Sequence, residues 1–188
     1  MGFYDEEKTA LEYIAMADGY DGSWLIDILA PHLSVGAAVL ELGMGPGTDL
    51  DILGSRYQVT GSDNSAFFLD RYRKMNPSAD LLELDAVSLQ TDRKFNCIYS
   101  NKVLHHIDDG DLSLSLHRQT ALLHAGGYVM HSFWKGSGVE EMHGLKFHYR
   151  DLASLQEAFW EPFEIVAMSL YEELEPDDSI YVLARVRQ

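Results

Sequence analysis

Short apolar runs alternate with amphipathic stretches along most of the chain. Each run is apolar over nearly its whole length, as expected for strands that are covered on both faces of a parallel sheet. The stretches between them place apolar residues at helical spacing, which predicts helices on both faces of that sheet. The five strand candidates cover residues 38–42, 57–61, 80–84, 96–99 and 128–132. This alternation predicts an α/β fold.

The helix candidates carry recognisable stop signals. Asn76-Pro77 follows the candidate after the second strand, and Gly126-Gly127 follows the candidate before the fifth strand. The helix candidates cover residues 9–16, 23–33, 66–75, 111–124 and 151–159.

Two further strand candidates, residues 163–170 and 180–186, lie near the end of the chain. Residues 171–179 connect them, and this connection is too short for a helical crossover. The two strands should therefore pair antiparallel. The whole pattern predicts a seven-stranded, mostly parallel sheet with a C-terminal antiparallel strand.

Composition and charge narrow the class of protein. The 188 residues are 46% hydrophobic, which suits a single domain with a substantial core. Fourteen Lys and Arg against 30 Asp and Glu give a net charge of −16, which would repel a phosphate backbone and disfavours a nucleic-acid partner. No apolar run reaches membrane-spanning length, the first residues lack signal-peptide character, and Cys97 stands alone. We expect a soluble cytoplasmic protein without a membrane partner.

A glycine-rich loop follows the first strand candidate and precedes a short helix. Residues 41–48 read Glu-Leu-Gly-Met-Gly-Pro-Gly-Thr. Glycines let the backbone approach a ligand closely, and free amides at a helix start attract carboxylate or phosphate. A plain strand-to-helix turn is the alternative. A dinucleotide fingerprint would need its third glycine at position 48, where Thr48 stands, so nicotinamide binding is disfavoured.

Two acids follow the next two strand candidates. Asp63 ends the second strand and can accept hydrogen bonds from both hydroxyls of a ribose, but it can also cap the helix beginning near Ser65. Asp85 ends the third strand, and a surface turn is its alternative role. Three strand ends in the right order favour a nucleoside site at one edge of the sheet.

The form E-x-G-x-G-x-G of residues 41–47 resembles motif I of the class I S-adenosylmethionine-dependent methyltransferases. Val103-Leu104-His105-His106 is similar to the V-L-H-H-L stretch of the members that act on small molecules. The D-P-P-Y or N-P-P-Y sequence of amino-methylating DNA enzymes does not follow the fourth strand. The resemblance implies one Rossmann-like α/β/α sandwich with its core in residues 36–188. Residues 1–33 lie outside the resemblance, and we expect them to form a helical lid segment of the same domain.

The resemblance also implies the cofactor and its contacts. The loop would wrap the methionine and sulfonium parts of S-adenosylmethionine, Asp63 would bind the ribose, and Asp85 with the next amide would bind the adenine. The implied cofactor-binding residues are Glu41, Gly43, Met44, Gly45, Gly47, Asp63, Asn64, Asp85, Ala86 and Ser100. S-adenosylhomocysteine would be the product.

The acceptor side is less defined by the sequence. Orientation can supply roughly 7–11 kcal/mol of a barrier, so a general base is optional. His106 and His131 are the candidate bases, with His105, His143 and His148 as further histidines near the strand ends; no metal site is expected. The candidate substrate-binding residues are Tyr20, Trp134, Tyr149 and Arg150, the last two for an anionic acceptor.

Several alternatives stay open at this level. The aromatic residues Tyr4, Tyr13 and Trp24, with residues 17–22, form either a lid over the cofactor or an ordinary amphipathic packing surface. The acceptor is expected to be a small molecule, methylated on oxygen, nitrogen or carbon. Another transferase using a nucleoside sulfonium, or a catalytically silent cofactor-binding protein, would share these motifs. Both a monomer and a homodimer are compatible with the sequence.

Overall fold

The computed structural model describes residues 7–17, 19–142 and 144–187. The helices are α1 (Glu7–Met16), α2 (Ser23–Leu29), α3 (Thr48–Gly54), α4 (Ala66–Met75), α5 (Asp109–Leu122) and α6 (Leu152–Trp160). The strands are β1 (Ala38–Leu42), β2 (Gln58–Asp63), β3 (Leu81–Glu83), β4 (Phe95–Ser100), β5 (Leu123–Trp134), β6 (Val139–Met142), β7 (Leu145–His148), β8 (Phe163–Tyr171) and β9 (Ser179–Val186). Within these residues, none of the helices combines the length and apolar character that a membrane span requires.

Seven strands form one sheet in the order β3-β2-β1-β4-β5-β9-β8. The first five pair in parallel, while β9 runs antiparallel to both β5 and β8. Trp134 at the end of β5 pairs with Ser179 at the start of β9. The carboxyl ends of the parallel strands and the turn into β9 therefore meet at one edge. The predicted α/β fold with a C-terminal antiparallel strand is confirmed.

Neighbouring residues of a strand point to opposite faces of the sheet. Both faces are apolar here, and helices cover each of them. Leu40 and Ile98 pack with α5 and α6 in one core cluster. Val39 and Cys97 pack with α2 and α3 in another. The Cys97 side chain is fully buried, as its strand context predicts. The sheet is therefore the middle of three layers.

The segment between β5 and α6 differs from the sequence prediction. No strand or helix candidate was assigned between residues 132 and 151, but β6 and β7 pair there as a separate antiparallel hairpin. All four residues of β6 are exposed, so this strand has no apolar alternation that would mark it. Phe147 of β7 stacks on His105, which lies in a short 3-10 turn spanning Leu104–His106, with ring centroids 5.1 Å apart. The hairpin thereby covers the residues that follow β4.

Candidate functional site

The glycine loop leaves the carboxyl end of β1 in a conformation that requires glycine. Gly43, Gly45 and Gly47 have φ angles of 63°, 49° and 93°. A Cβ on Gly47 would lie 2.3 Å from the ring of Tyr72, and one on Gly43 would lie 2.6 Å from Val103. Two of the three positions thus exclude a side chain by contact as well as by backbone angle.

Asp63 joins this loop to the end of β2. Its carboxylate accepts hydrogen bonds from the Gly45 and Ser65 amides, both at 2.9 Å, and the residue is only 6% exposed. Its bond to the Ser65 amide forms a turn just before α4, whose N-cap residue is Ser65, so Asp63 is not itself the cap of this helix. Its bond to Gly45 fixes the glycine loop. The structure therefore places Asp63 against the loop, while its contact with a ribose stays a prediction.

The remaining acid of the predicted cofactor site lies at the surface. Asp85 is exposed and accepts hydrogen bonds from the amides of Val87 and Ser88, at 3.2 and 2.8 Å, so it forms the turn that was its alternative role. Asn64 is exposed beside Asp63, and the Ala86 carbonyl accepts a hydrogen bond from Ser115.

Glu41 is the buried acid beneath the loop. It is 3% exposed, and its Oε2 has no hydrogen-bond partner among the described residues. Burial, followed by the charges of Asp49 and Asp63, raises the pKa of Glu41 well above its usual value. Neither Glu41 nor Asp49 is ion-paired with any Lys or Arg in the described part of the chain. The charges of Asp49 and Asp63 beside this carboxyl group make the cradle electronegative, which suits a cation.

Asp49, in the first turn of α3, holds the N-terminal segment against this cradle. Its carboxylate accepts hydrogen bonds from the Gly22 amide at 2.6 Å, from the Tyr99 hydroxyl at 2.7 Å and from Asn101 Nδ2 at 3.2 Å. Sequence reasoning missed this residue, because an acid in a first helical turn is ordinary there. These partners lie on the α1–α2 connection and at the end of β4.

The N-terminal helices cover the loop. A Cβ on Gly45 would lie 3.6 Å from the ring of Tyr13 in α1, and that ring also contacts Phe68 at a centroid distance of 6.0 Å. This position suits the lid that the sequence suggested, and the packing against Phe68 suits the alternative of ordinary core contacts. Tyr4, Asp18 and His143, which were also considered for the lid and acceptor site, lie outside the described residues.

His131 belongs to a buried hydrogen-bond chain. Ser100 Oγ lies 2.8 Å from His131 Nδ1, and His131 Nε2 lies 2.8 Å from Gln119 Oε1. Gln119 donates to Ser115, whose hydroxyl donates to the Ala86 carbonyl. His131 is fully buried, and burial lowers its pKa to about 3. This series of hydrogen bonds links the ends of β3 and β4. The geometry therefore gives His131 a structural role in place of the catalytic one expected from the sequence.

His106 lies nearer the surface than His131. Its Nδ1 lies 3.0 Å from the Lys146 carbonyl, which marks it as the donor, and burial lowers its pKa. His105 beside it is 2% exposed, and neither of its ring nitrogens has a partner among the described residues. Both histidine rings contact Phe147 of the β6–β7 hairpin, His105 stacked on it and His106 edge-on.

Arg150 and Tyr149 do not form an anion site. The Arg150 guanidinium is buried and donates to the carbonyls of Leu104, Ile107 and His148 and to Asp109. Tyr149 donates its hydroxyl to Glu140 at 2.9 Å. The arginine braces the turn after β4, so the expected contact with an anionic acceptor is corrected to a structural role.

Lys102, which sequence reasoning missed, lies where β4, β5 and β9 meet. Its Nζ lies 3.6 Å from the Trp134 ring centroid, 2.6 Å from Ser179 Oγ and 3.5 Å from Glu173. Burial lowers the pKa of Lys102 to about 8, although Glu173 opposes that shift. The ring of Trp134, a predicted substrate-binding residue, therefore makes a cation–π contact with the ammonium group of Lys102.

The surface of the described residues includes two cavities that bear on the site. One of about 450 Å³ is bounded by α3, α4 and the starts of β2 and β3. The other, of about 230 Å³, lies beside the α1–α2 connection at the carboxyl edge. Its lining includes the predicted substrate residue Tyr20, together with Trp24, Tyr171 and Glu173.

Several solved methyltransferases are similar in structure to this chain. Among solved structures, 1,6-didemethyltoxoflavin-N1-methyltransferase from Burkholderia thailandensis matches with a TM-score of 0.81 and 18% identity over 96% of this chain and 85% of that chain. An S-adenosylmethionine-dependent methyltransferase from Clostridium acetobutylicum matches with a TM-score of 0.77 and 15% identity over 96% and 98% of the two chains. N-methyltransferase NodS from Bradyrhizobium japonicum matches with a TM-score of 0.77 and 14% identity over the same shares.

One curated relative also matches. It is an uncharacterized 37.1 kDa protein in transposon TN4556 of Streptomyces fradiae, 25% identical over 155 residues. The match covers 78% of this chain and 43% of that protein, so this chain spans less than half of its relative's length.

A family model described as a methyltransferase domain matches residues 39–127, from β1 into β5. This segment contains the glycine loop, Asp63, Asp85 and the turn after β4. The structural matches extend the likeness over nearly the whole chain, and at their low identities they establish the fold. Residues 39–127 therefore match the methyltransferase-domain family model, and the chain shares its fold with solved S-adenosylmethionine-dependent methyltransferases.

Proposed function

We propose that this chain binds S-adenosylmethionine and transfers its methyl group to a small-molecule acceptor, leaving S-adenosylhomocysteine. One observation carries the proposal: the buried Oε2 of Glu41 lacks a partner in a cradle built from three left-handed glycines. Asp49 and Asp63 add negative charge beside it. A ligand with a sulfonium and an ammonium group would neutralise this cradle, whereas the pyrophosphate of a dinucleotide would be repelled.

The residues present fit this cofactor at three strand ends. The loop from Gly43 to Gly47 would surround its methionine part above Glu41, and Asp63 would bind the ribose. Asp85, with Ala86 after it, would receive the adenine at the exposed turn after β3. Asn64 lies beside the ribose position, and Ser100 supports the end of β4 through its contact with His131.

When bound, the cofactor supplies a methyl group that is already electrophilic. An acceptor lone pair forms the new bond to carbon, the carbon–sulfur electron pair stays on sulfur, and any acceptor proton leaves to solvent or a base. The protein's task is then orientation, which is worth roughly 7–11 kcal/mol of a barrier. His106 is the proposed base or positioning group, because it lies next to the strand ends and is only partly buried.

Two solved proteins with this fold have an acceptor in their names, 1,6-didemethyltoxoflavin-N1-methyltransferase and the glycopeptide N-methyltransferase MtfA, and a third is named N-methyltransferase NodS. These names support a small-molecule acceptor for this chain. The net charge of −16 supports the absence of a nucleic-acid partner. We further propose a cytoplasmic protein that works as a monomer or homodimer.

Calorimetry and thermal melts with S-adenosylmethionine, S-adenosylhomocysteine and NAD test the cofactor proposal. A ligand present at 100 times its Kd should stabilise the fold by about 2.7 kcal/mol, which raises the Tm by roughly 5–10 °C. Both sulfur nucleosides should do so, and NAD should not. Stabilisation by NAD alone would overturn the proposal.

Substitution of Asp63 tests the ribose contact. Asp63→Ala should weaken S-adenosylhomocysteine binding by more than about tenfold, because a charge-assisted contact is lost. Asp70→Ala is the matched control, since Asp70 lies on the exposed side of α4. Transfer of a labelled methyl group to a product distinguishes a methyltransferase from a transferase of another group and from a silent binder.

A further inference from the structure

We propose that the methyl acceptor carries a cationic amine, and that the cavity beside the α1–α2 connection binds this amine. This inference rests on the proposed function and adds the chemical class of the acceptor. The cavity is lined by three aromatic residues, Tyr20, Trp24 and Tyr171, and by three acids, Asp21, Glu172 and Glu173. Aromatic faces combined with carboxylates are the surroundings that a desolvated ammonium prefers.

The aromatic side of the cavity is preformed. Trp24 stacks on Tyr171 with ring centroids 5.2 Å apart and meets Tyr181 edge-on at 5.6 Å. Trp24 and Tyr20 are nevertheless each 52% exposed, so much of their ring surface remains open to a ligand. The cavity holds about 230 Å³. Clefts that enclose whole small molecules hold roughly 300–1,000 Å³, so this cavity suits one end of an acceptor.

The charge of the cavity favours a cation. Of its three carboxylates, only Glu173 is ion-paired with Lys102 in the described structure, which leaves Asp21 and Glu172 as net negative charge. The Ser23 amide donates to Asp21 at 2.9 Å, and hydrogen bonding to Ser23 lowers the pKa of Asp21, so this carboxylate is ionised at neutral pH. A carboxylate or phenolate acceptor would be repelled here.

Lys102 gives an independent observation on the same wall. Its ammonium lies 3.6 Å from the Trp134 ring centroid and 5.1 Å from that of Tyr171, with Glu173 as its counter-ion. Tyr171 and Glu173 also line the cavity. This edge of the sheet therefore already stabilises one ammonium group by the aromatic and acidic contacts that we assign to the acceptor.

The cavity also adjoins the cofactor cradle. Asp21 and Trp24 flank Gly22, whose amide donates to Asp49 at 2.6 Å. Lys102 follows Asn101, which donates to the same carboxylate at 3.2 Å. Asp49, in the first turn of the helix after the glycine loop, thus binds both the segment that lines the cavity and the residue before Lys102. An acceptor amine bound here would lie next to the bound cofactor.

A pair of probes of equal shape tests the inference. Binding of choline and of its neutral analogue 3,3-dimethylbutan-1-ol is measured by calorimetry on the protein saturated with S-adenosylhomocysteine. Choline should bind about threefold to tenfold more tightly, because only its charge differs. Equal affinity for the two probes, or no binding of choline while S-adenosylhomocysteine binds, would overturn the amine assignment alone. Failure of S-adenosylhomocysteine itself to bind would instead overturn the proposed function.

Variants locate the probe in this cavity. Trp24→Ala and Glu172→Gln should each weaken choline binding about threefold to tenfold, while Trp24→Phe keeps a ring and should retain most of it. Trp160→Ala and Glu164→Gln are the matched controls, since both residues are exposed and lie away from the cavity. The affinity for S-adenosylhomocysteine is measured for every variant as a check on folding. Choline affinity that is unchanged in both Trp24→Ala and Glu172→Gln would refute the location.

Discussion

Asp49 holds three separate parts of the chain together, so its removal should have a large effect. In Asp49→Ala the Gly22 amide and the Tyr99 hydroxyl, both buried, lose the acceptor that lies 2.6 and 2.7 Å away. Each unsatisfied buried donor costs about 1–3 kcal/mol, so the two together predict a loss of roughly 2–6 kcal/mol. Relief of the repulsion between Asp49 and Glu41 offsets part of this loss.

Such a loss is a large part of the roughly 5–15 kcal/mol that stabilises a typical domain. For a chain of this length each kcal/mol shifts the Tm by about 2–4 °C, so Asp49→Ala should melt at least 4 °C below the wild type. Urea unfolding gives the free energy directly. Asp49→Asn keeps an acceptor for Gly22 but replaces the second oxygen, so its stability should lie between the two.

Hydrogen exchange shows whether the loss occurs where we expect it. The Gly22 amide should be protected in the wild type and exchange much faster in Asp49→Ala, because it no longer has an acceptor. Asp27→Ala is the control, since Asp27 forms only a surface ion pair with Arg56, and such pairs contribute about 0–1 kcal/mol. A Tm of Asp49→Ala equal to that of the control, with Gly22 still protected, would refute the reasoning.

Three further predictions concern the cradle and the core. The folded protein holds the Glu41 proton more tightly than the unfolded chain does, so wild-type stability should fall as pH rises above 4.5. In thermal melts without cofactor, Glu41→Gln should remove this decline. Parallel curves of Tm against pH for the two proteins would contradict the prediction. His131 behaves oppositely. Its pKa is near 3 in the fold and 6.5 when free, so acidification through that window should cost up to about 1.4 kcal/mol per pH unit, and urea titrations of His131→Gln should show a smaller slope. An unchanged slope would mean that His131 is not the buried neutral base described. Gly45→Ala should cost about 1–2 kcal/mol of stability through its left-handed backbone yet weaken S-adenosylhomocysteine binding more than tenfold by calorimetry, whereas Gly54→Ala, with ordinary contacts only, should bind normally. Normal binding by Gly45→Ala would show that the cofactor does not approach this loop.

The parts of the fold that depend on local signals were predictable from the sequence. The residues 38–42 and 66–75 form β1 and α4 with the expected bounds, because apolar runs, glycines and the Asn76-Pro77 stop act within a few residues. The glycine loop was also predictable from the spacing of its glycines. The positive φ angles at positions 43, 45 and 47 explain why glycine stands there. The antiparallel pairing of the last strands followed from the length of their connection.

Contacts between distant residues were not predictable in the same way. Asp49 meets Tyr99 across 50 positions, and Lys102 meets Ser179 across 77, so no spacing in the sequence links them. His131 and Arg150 carry the residue types of an active site, but their burial and hydrogen bonds are set by the packing of α5 and the hairpin. The sequence therefore shows which chemical groups such side chains carry, but it does not show what surrounds them in the fold.

The reversed direction of β9 has a consequence for how acceptor preference can change. Since β9 starts where β5 ends, the turn from Glu172 to Asp178 reaches the cofactor edge without contributing to the glycine loop. The Asp178 carboxylate ties this turn internally, by accepting from the amides of Glu173, Leu174 and Glu175 at 2.9–3.0 Å. We expect that an exchange of this turn which preserves Asp178 would change the residues beside the proposed acceptor cavity and leave the glycine loop unchanged.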